Sequence, residues 1–596
     1  MEAALPFATQ PILLTAAGAL AVALGAAKGH ARLTLSRAKH KSLAGHVRMS
    51  LRVARLVPAW GYDEHLFFRA DGAPDEVARQ RQAGFGALSA LYKERFAKTA
   101  ALTKEAAQGL SDLQFTGAYR VPFQFSRIVR ENLSAGSFLQ SSDGVTITDL
   151  DGNRLYDLAG SYGVNLLGFD TYKRMIAEGA AQVADLGPVL GAFHPVVADN
   201  VQRLKAISGL DELSFHMSGT EAVMQAVRLA RYHTKRTHAV RFCGAYHGWW
   251  GDVQPGVGNP TPADYTYTLA DMSENTLKVL ATRRNIACVL VNPLQGLHPN
   301  SGAPGDNTLV DSSRKAHFDK EAYGAWLRRL AEVCRKAGIV LIFDEVFVGF
   351  RLARGGAAEY FGVKPDMITY GKTLGGGLPV GVLCGRHDLM KRYRDDKPVD
   401  ICFARGTFNS HPYVMGAMNA FLRFLDTDEG KALYEGLDDR WNARAARMNA
   451  ALAEAGLPVE VSNISTIWTV RYTRPSRYNW MLQYYLKAHG LALSWVGTGR
   501  LVFSLNFSDA DFEAVAERFL AAAESMRRDG WWETGALGSD RAIKRRILRE
   551  MLGAAIAPWR PGGRRPDLVS GQPLVPTMAM AEEPITTVTP SAARGL

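Results

Sequence analysis

Lys372 and Asp344 are the two side chains whose types and positions point most directly to chemistry. Lys372 follows a strand-like run, residues 365–370, and Asp344 follows the apolar run 339–343. A lysine amine can form a Schiff base with an aldehyde. A carboxylate can keep a ring nitrogen protonated, so that the ring withdraws electrons. Because each residue comes at the end of a predicted β-strand, the pair suits a pyridoxal 5'-phosphate (PLP) site.

A candidate phosphate site lies upstream. Ser218, Gly219 and Thr220 come directly before a predicted helix, where hydroxyls and backbone amides can bind an anion. In isolation, a serine or threonine here is more often only a helix cap. The motif therefore supports a cofactor site only in combination with the other candidate residues.

Three further residues could complete such a site. Tyr246, in a Tyr-His-Gly motif, could stack on a flat ring, although a core aromatic beside a turn is the alternative. Val346, two residues after Asp344, could pack against the other face of the ring. Thr407 offers a hydroxyl for a phosphate, but a threonine in a loop is usually structural.

The elements that must position these residues alternate between strand and helix. Strands are predicted at 239–242, 286–291, 339–343 and 367–370, and helices at 221–233 and 321–337. This order predicts an α/β fold with a mainly parallel sheet and helices on both faces. Ligands of such sheets bind beyond the carboxyl ends of the strands. Residues 411–528 are interpreted as a separate α+β unit that closes with a strand at 501–507 and a helix at 509–526.

Composition bounds the class of protein. The 596 residues are 47% hydrophobic and 21% charged, which allows a large globular core. The five cysteines are scattered without metal or redox spacing, which predicts reduced thiols and no metal site. Eight of the basic residues fall within residues 28–57, which contain no acidic residue, so a uniformly basic nucleic-acid binder is the weaker interpretation.

The N-terminal residues 1–57 predict a membrane attachment. Residues 11–27 are apolar and uncharged, and the basic run follows them, which favours a single anchor with the catalytic part on the cytoplasmic face. A buried or interfacial helix is the alternative. Within the basic run, apolar and basic side chains occupy separate faces of a helix, as on an anionic membrane, or else on an ordinary solvated surface.

The remaining chain divides into five predicted segments. Residues 58–115 form a helical extension without an assigned role, and 116–410 an N-terminal segment with the large PLP-binding domain. Residues 411–528 form a small α+β domain, 529–560 a basic amphipathic helix, and 561–596 a disordered tail.

Taken in order, the motifs SGTEA, YHG, DEV, GKTLGGGLPVG and GTF resemble those of the class III aminotransferases, which are fold type I PLP enzymes. Within that class they are most similar to glutamate-1-semialdehyde 2,1-aminomutase. The resemblance covers residues 120–528 approximately, and includes DLDGNRLYDLAGSYGVNLLG at 149–168.

The resemblance implies roles for the motif residues. Lys372 carries the cofactor, and Asp344 pairs with its pyridine nitrogen. The phosphate is bound by the helix-start residues Ser218, Gly219 and Thr220. Tyr246 and Val346 cover the two ring faces, and Thr407 reaches the phosphate of the neighbouring subunit of a homodimer.

The resemblance also yields three candidate substrate contacts. Arg500 lies where several class III aminotransferases place an arginine for the donor carboxylate, and a surface arginine is the alternative. Arg127 matches an aminomutase arginine by spacing only, and Tyr162 lies in the matching GSYG segment. The glutamate that often covers Arg500 is absent, with Leu297 at its position, and Phe347 replaces a polar or methionine side chain.

These observations predict a membrane-associated transaminase with a hydrophobic or lipid-like carbonyl acceptor. The alternative is an intramolecular aminomutase. However, the gating loop that follows YHG in that family is much shorter here. A third interpretation, a membrane scaffold that keeps a PLP fold without turnover, conflicts with the intact Lys372 and Asp344.

Overall fold

The computed structural model describes residues 10–41, 43–118, 121–254, 258–259, 263–300, 317–494, 499–533, 535 and 537–556. For residues 10–17, 44 and 116–118 the backbone alone is described. The predicted tail, 561–596, lies outside the described residues.

The secondary structure alternates along the middle of the chain. The α-helices, numbered α1 to α21 in order, span Gln10–Ala38, Val47–Leu56, Glu64–Phe67, Asp75–Arg95, Ala97–Ala106, Ser111–Ala118, Ser126–Asn132, Gly160–Gly163, Phe169–Gln182, Val196–Ser208, Gly219–Thr234, Glu274–Thr282, Lys320–Ala337, Gly356–Phe361, His387–Met390, Pro412–Phe424, Asp428–Ala432, Leu437–Glu454, Leu482–Ala488, Asp509–Arg528 and Asp540–Ile556. Short 3-10 helices span Leu43–Gly45, Pro293–Leu297, Lys372–Gly375 and Asn479–Met481.

The strands form three sheets. In order, β1 to β14 span Leu139–Asp143, Thr146–Asp149, Arg154–Asp157, Glu212–His216, His238–Phe242, Thr266–Leu269, Ile286–Val291, Val340–Asp344, Met367–Gly371, Gly381–Gly385, Val459–Ile464, Ile467–Tyr472, Leu491–Ala492 and Arg500–Val502. The sheets have the orders β1-β2-β3-β13, β4-β10-β9-β8-β7-β5-β6 and β11-β12-β14.

The seven-stranded sheet confirms the predicted mainly parallel α/β core. Strands β6, β5, β7, β8 and β9 are mutually parallel, and β10 runs antiparallel between β9 and β4. The four predicted strands correspond to β5, β7, β8 and β9, with ends that differ by one residue at most. Because β8 and β9 are adjacent and parallel, their carboxyl ends carry Asp344 and Lys372 to the same edge of the sheet.

Helices cover both faces of this sheet. Successive side chains of β7 point to opposite faces, as the strand geometry requires. Val289 and Val291 join the large apolar cluster that includes Leu330 of α13, while Cys288 and Leu290 join a second cluster with α11. Burial on both faces explains why these strands are continuous apolar runs in the sequence.

The three-stranded sheet packs with α18, and its last strand is shorter than predicted. A strand was expected over residues 501–507, but β14 ends at Val502. Beyond it, the carbonyl of Phe503 accepts a hydrogen bond from Arg351 Nη1 at 2.7 Å, and the amide of Leu505 donates to Leu166. The chain therefore leaves the sheet because other segments bind its backbone.

The region around residues 58–115 folds into helices α3 to α6. Its contacts to the rest of the chain centre on two buried arginines. Arg81 pairs with Asp71 at 2.8 Å and donates to the carbonyl of Gly530 at 2.9 Å. Arg477 donates to the Tyr62 hydroxyl at 2.6 Å and pairs with Glu550 of α21 at 2.9 Å. This region is therefore joined to the C-terminal part of the described chain.

Helix α1 meets the body only near its C-terminal end. Its described side chains from residue 18 to residue 33 are exposed, and the carbonyl of Ala38 accepts a hydrogen bond from Ala270 at 2.7 Å. Across the portion with described side chains, none of the helices has the length and apolar character needed to span a membrane. The side chains of residues 1–17, which include the start of the predicted anchor, lie outside the described residues.

Candidate active site

Lys372 is placed by β9 and by the turn that follows. It begins the 3-10 helix Lys372–Gly375 with a left-handed φ of +45°. A lysine rarely adopts this conformation, so the chain accepts local strain in order to aim this side chain. Burial lowers the pKa of Lys372 below its usual value, and the Asp344 carboxylate opposes that shift. The amine is therefore nearer to its neutral, nucleophilic form than a surface lysine is.

Asp344 ends β8, directly opposite Thr369 of β9. Its side chain is buried, and its Oδ1 accepts from the Val346 amide at 3.2 Å and from the Thr369 hydroxyl at 3.3 Å. Its Oδ2 lies 2.8 Å from Nδ1 of His247. Donors on both oxygens hold the carboxylate in one orientation at the edge of the sheet.

His247 is a functional candidate that sequence reasoning missed. It lies in the Tyr-His-Gly motif, of which the tyrosine was assigned a role in the sequence analysis. The ring is buried, and because a carboxylate only accepts, Nδ1 carries the hydrogen. Its Nε2 is also buried and has no hydrogen-bond partner among the described residues. The available signal was its position directly after Tyr246, which was already assigned to the site.

The start of α11 forms the candidate phosphate site. Ser218 is the N-cap residue, and its hydroxyl accepts from the Glu221 amide at 3.3 Å. The Glu221 side chain in turn accepts from the Met217 amide at 2.9 Å. Ser218 thus has the capping role weighed as its alternative. The first amides of a helix and the hydroxyl of Thr220 remain suited to an anion.

The motifs that are far apart in sequence meet here, and glycines make the approach possible. A Cβ on Gly219 would lie 2.5 Å from Val346 Cγ1, and one on Gly371 would lie 3.2 Å from the same atom. A Cβ on Gly248 would lie 2.6 Å from Thr220 Oγ1. The phosphate site, the Tyr-His-Gly motif, the end of β8 and the end of β9 are therefore in mutual contact.

Tyr246 and Thr407 are both exposed on the described chain. The Tyr246 side chain is 54% exposed, and its backbone carbonyl accepts from the Asn292 amide group at 3.1 Å. Burial of the remaining part and the nearby Asp344 charge raise the pKa of Tyr246. An exposed ring beside Asp344 leaves space for a flat ligand. Thr407 lies in an exposed turn, where its hydroxyl is open to another molecule.

Arg500 begins β14 and lies near the same aromatic ring as Lys372. Its Cζ lies 5.9 Å from the centre of the Phe347 ring, and Lys372 Nζ lies 5.9 Å from the same centre. A Cβ on Gly163 would lie 2.6 Å from Phe347 Cε2, so this glycine supports the ring. The amine and the guanidinium therefore both lie near the apolar surface of Phe347.

The segment opposite Arg500 differs from the sequence expectation. Leu297 was placed at the position that faces Arg500, but its side chain is fully buried in the large apolar core. The next residue, His298, reaches Arg500 instead, with Nε2 and Nη2 3.3 Å apart. The 3-10 helix Pro293–Leu297 causes this difference, because it turns consecutive side chains to different sides.

The other two candidate substrate contacts differ in placement. Tyr162 is 52% exposed, in the turn next to Gly163, which contacts Phe347. Arg127 lies on the exposed side of α7 and pairs with Glu131 one turn away at 3.5 Å. None of the contacts described for Arg127 joins it to Lys372, Asp344 or Arg500.

This arrangement fits PLP. The cofactor needs an amine of lowered pKa, an acid for its ring nitrogen and an anion site for its phosphate. Lys372, Asp344 and the start of α11 provide these groups within one contiguous surface. Glycines at positions 219, 248 and 371 allow the segments that form this surface to approach one another closely.

Comparisons with known proteins agree with this chemistry. A family model described as aminotransferase class-III matches residues 129–252 and 319–523. Glutamate-1-semialdehyde 2,1-aminomutase of Desulfotalea psychrophila is 33% identical over 377 residues, which cover 59% of this chain and 80% of that protein.

Solved structures show the same architecture. A transaminase with PLP bound is 25% identical, with a TM-score of 0.58, and the match covers 73% of this chain and 99% of that chain. A glutamate-1-semialdehyde aminomutase of Pseudomonas aeruginosa is 18% identical, with a TM-score of 0.61, over 75% of this chain and 99% of that chain. At that identity, the second likeness concerns the fold alone.

Proposed function

Because the chain belongs to the class III aminotransferase family, whose members use PLP, we propose that it is a transaminase that moves an amino group from an amino donor to a carbonyl acceptor. The observation that carries this proposal is the meeting of Lys372, Asp344 and the start of α11 at one edge of the sheet. When bound, PLP supplies an electron-poor ring that stabilises negative charge on the substrate carbon.

The protein residues divide the remaining work. Lys372 would hold the cofactor through its amine, and the free amine would take the proton from the donor carbon. Its lowered pKa suits this role as a general base. Asp344 keeps the ring nitrogen protonated, and His247 holds the Asp344 carboxylate in place.

The other motif residues bind and orient. The phosphate is held by Ser218, Gly219 and Thr220, with Thr407 of the neighbouring subunit. Tyr246 and Val346 cover opposite faces of the ring. Arg500 binds the carboxylate of the donor, and Tyr162 closes the outer side of the pocket.

An intramolecular aminomutase is the second candidate function. The curated relative of 33% identity is an aminomutase, and this favours it. Against it stands the short connection between Gly248 and β6, where the aminomutase family carries a long gating loop. Without that loop, a doubly aminated compound would leave the site before its second conversion. Arg127 fits this candidate less well, since it is engaged with Glu131.

The acceptor is proposed to be hydrophobic or lipid-like. Phe347 supports this, because its ring lies near both Lys372 and Arg500 and adds apolar surface to the proposed pocket. Leu297 does not contribute, since it is buried in the core. Equal turnover of short and long-chain aldehydes would count against the idea.

A homodimer with shared active sites is proposed as the working unit. Large apolar side chains are exposed in segments around the site, as expected of a surface that another subunit covers. These are Tyr162, Phe193, Tyr246, Trp249, Phe403 and Phe408. A monomer in analytical ultracentrifugation at micromolar concentration would contradict it.

The N-terminal segment is proposed to hold the enzyme at the cytoplasmic face of a membrane. Helix α2 exposes Arg48, Arg52 and Arg55 together with Met49 and Leu56. Basic and apolar side chains on one short helix suit an anionic lipid surface. Equal flotation of the full chain with anionic and neutral vesicles would contradict this location.

The central proposal is tested with purified enzyme and a series of amino donors. A transaminase converts the bound cofactor to its amino form with a donor alone, and loses its visible absorption. Lys372→Ala should abolish steady turnover. The variant should still fold and should still bind PLP through the phosphate group of the cofactor. A chain that turns over the semialdehyde repeatedly with no donor would instead be an aminomutase.

A further inference from the structure

His298 is a residue to which the reaction scheme above gives no role, yet it contacts the proposed carboxylate-binding arginine. His298 Nε2 lies 3.3 Å from Arg500 Nη2, and the imidazole is only 2% exposed. A guanidinium can only donate hydrogen bonds. His298 Nε2 is therefore the acceptor in this contact, which requires the neutral ring with its hydrogen on Nδ1.

The backbone around His298 is fixed from several sides. Its amide donates to the carbonyl of Gln295 at 3.0 Å. The Gln295 side chain donates to the carbonyl of Cys243 at 2.8 Å, and Asn292 donates to the carbonyl of Tyr246 at 3.1 Å. The imidazole is thus presented from a segment that is tied to the loop carrying the Tyr-His-Gly motif.

An aromatic ring also lies close to Arg500. Its guanidinium lies 5.9 Å from the centre of the Phe347 ring, which lies equally far from Lys372 Nζ. A cation near an aromatic face is attracted to it. His298 and Phe347 therefore both contribute to the direction in which Arg500 points.

We propose that His298 is a positioning residue that sets the substrate preference of Arg500. Through a neutral hydrogen bond it orients the guanidinium, and this contact contributes no negative charge. A substrate carboxylate can then bind without displacing an anionic side chain from this contact. The enzyme should consequently prefer amino donors that carry a carboxylate next to the amine. This inference rests on the proposed role of Arg500.

The test compares a carboxylate with its uncharged counterpart in the full-length holoenzyme. Butyrate and butyramide have the same shape, and neither can transfer an amino group, so calorimetry measures binding without turnover. Wild-type enzyme should bind butyrate about tenfold more tightly than butyramide, because a charged hydrogen-bonded pair replaces a neutral one. His298→Glu should bring the two affinities close together, because its carboxylate competes for Arg500.

His298→Gln is the matched control. The amide oxygen of glutamine can accept the same hydrogen bond without a charge, so the preference for butyrate should stay within about threefold of the wild-type value. His298→Ala should lose most of the preference for butyrate, because the side chain at position 298 then no longer orients the guanidinium. In donor half-reactions, His298→Glu should raise the concentration of α-amino acid that is needed and leave the limiting rate unchanged. Thermal unfolding of each variant reports its folding separately.

The outcomes separate this inference from the proposed function. If His298→Glu and His298→Ala keep the wild-type preference for butyrate, His298 does not position Arg500 and the inference is overturned. If the wild type binds both ligands equally, the carboxylate role of Arg500 is overturned together with it. Neither result affects the transaminase proposal, which depends on Lys372 and on conversion of the cofactor by a donor.

Discussion

At the scale of single residues, the contact between His247 and Asp344 determines how the acid faces the cofactor. Both side chains are buried, and the 2.8 Å contact joins a loop after β5 to the end of β8. In the proposed site Asp344 points at the ring nitrogen of the cofactor, and the buried His247 donor restricts its rotation. His247 thus acts on the chemistry through Asp344, without touching the substrate.

Replacing His247 tests this arrangement. His247→Phe keeps the volume but removes the hydrogen bond, and we expect turnover to fall about 10- to 100-fold, since hydrogen bonds to charged groups contribute about 1.5–3 kcal/mol. His247→Asn keeps a donor close to the position of Nδ1 and should recover part of that loss. The visible spectrum of the bound cofactor should shift in the Phe variant alone. Equal turnover and spectra in all three proteins would refute the role.

At the scale of elements, the turn α8 is the most unusual feature of the site. Gly160, Ser161, Tyr162 and Gly163 all have positive φ, between +45° and +89°. Consecutive left-handed residues are costly when two of them are not glycine. The buried Arg351 offsets that cost, because its Nη2 donates to the carbonyl of Gly163 at 3.1 Å. The turn is therefore held open for Tyr162 by a guanidinium from the segment after β8.

Asp157 supports the same turn and makes its stability depend on pH. Its Oδ1 accepts from the Ala159 amide at 2.9 Å, and burial raises the pKa of Asp157 to about 6, although backbone hydrogen bonds oppose the shift. The folded state therefore binds this proton more tightly than the unfolded chain does. The stability that the bound proton contributes is lost as the pH rises from about 4 to about 6.

In the variant Asp157→Asn the side chain at this position cannot ionise, so the variant should not lose stability over this pH range. Relative to wild type, it should gain up to about 3 kcal/mol in free energy of unfolding between pH 4 and pH 7. Urea unfolding of both proteins across this range measures the difference. Parallel stability curves would mean that Asp157 titrates near its usual value in the folded protein.

At the scale of the whole molecule, one group of buried side chains joins an early segment of the chain to its last described helix. Tyr62, Arg477 and Glu550 form a buried group that joins the segment after α2 to helix α21. The side chain of Arg477 is 1% exposed, so its charge depends on these partners. Aromatic rings surround the group, among them Phe67, Phe125, Tyr478, Trp480 and Trp531.

Breaking this group should destabilise the entire protein. Glu550→Ala leaves a buried guanidinium without its carboxylate, and we expect a loss of about 3–5 kcal/mol in unfolding free energy. Glu513→Ala is the control, because its ion pair with Arg447 is exposed and should contribute about 1 kcal/mol or less. Chemical denaturation measures both. A Glu550 variant as stable as the control would show that α21 is dispensable.

The sequence predicted the parts of this fold that depend on local patterns. Apolar runs located β5, β7, β8 and β9, and motif order located Lys372 and Asp344. It did not assign a role to residues 58–115, because the contacts of Arg81 with Gly530 and of Tyr62 with Arg477 span hundreds of residues. It also could not foresee the left-handed turn at Ser161 and Tyr162, since nothing local to those residues favours it. Similarly, the partner of Arg500 shifted by one residue, from Leu297 to His298, because a 3-10 helix intervenes.

The way in which the N-terminal helices are attached to the body has a mechanical consequence. Force applied through the N-terminal helices enters the body at Ala38 and at the Tyr62–Arg477–Glu550 group. These points lie outside the strands that carry Asp344 and Lys372. Motion of the N-terminal helices therefore reaches the body at positions outside these two strands.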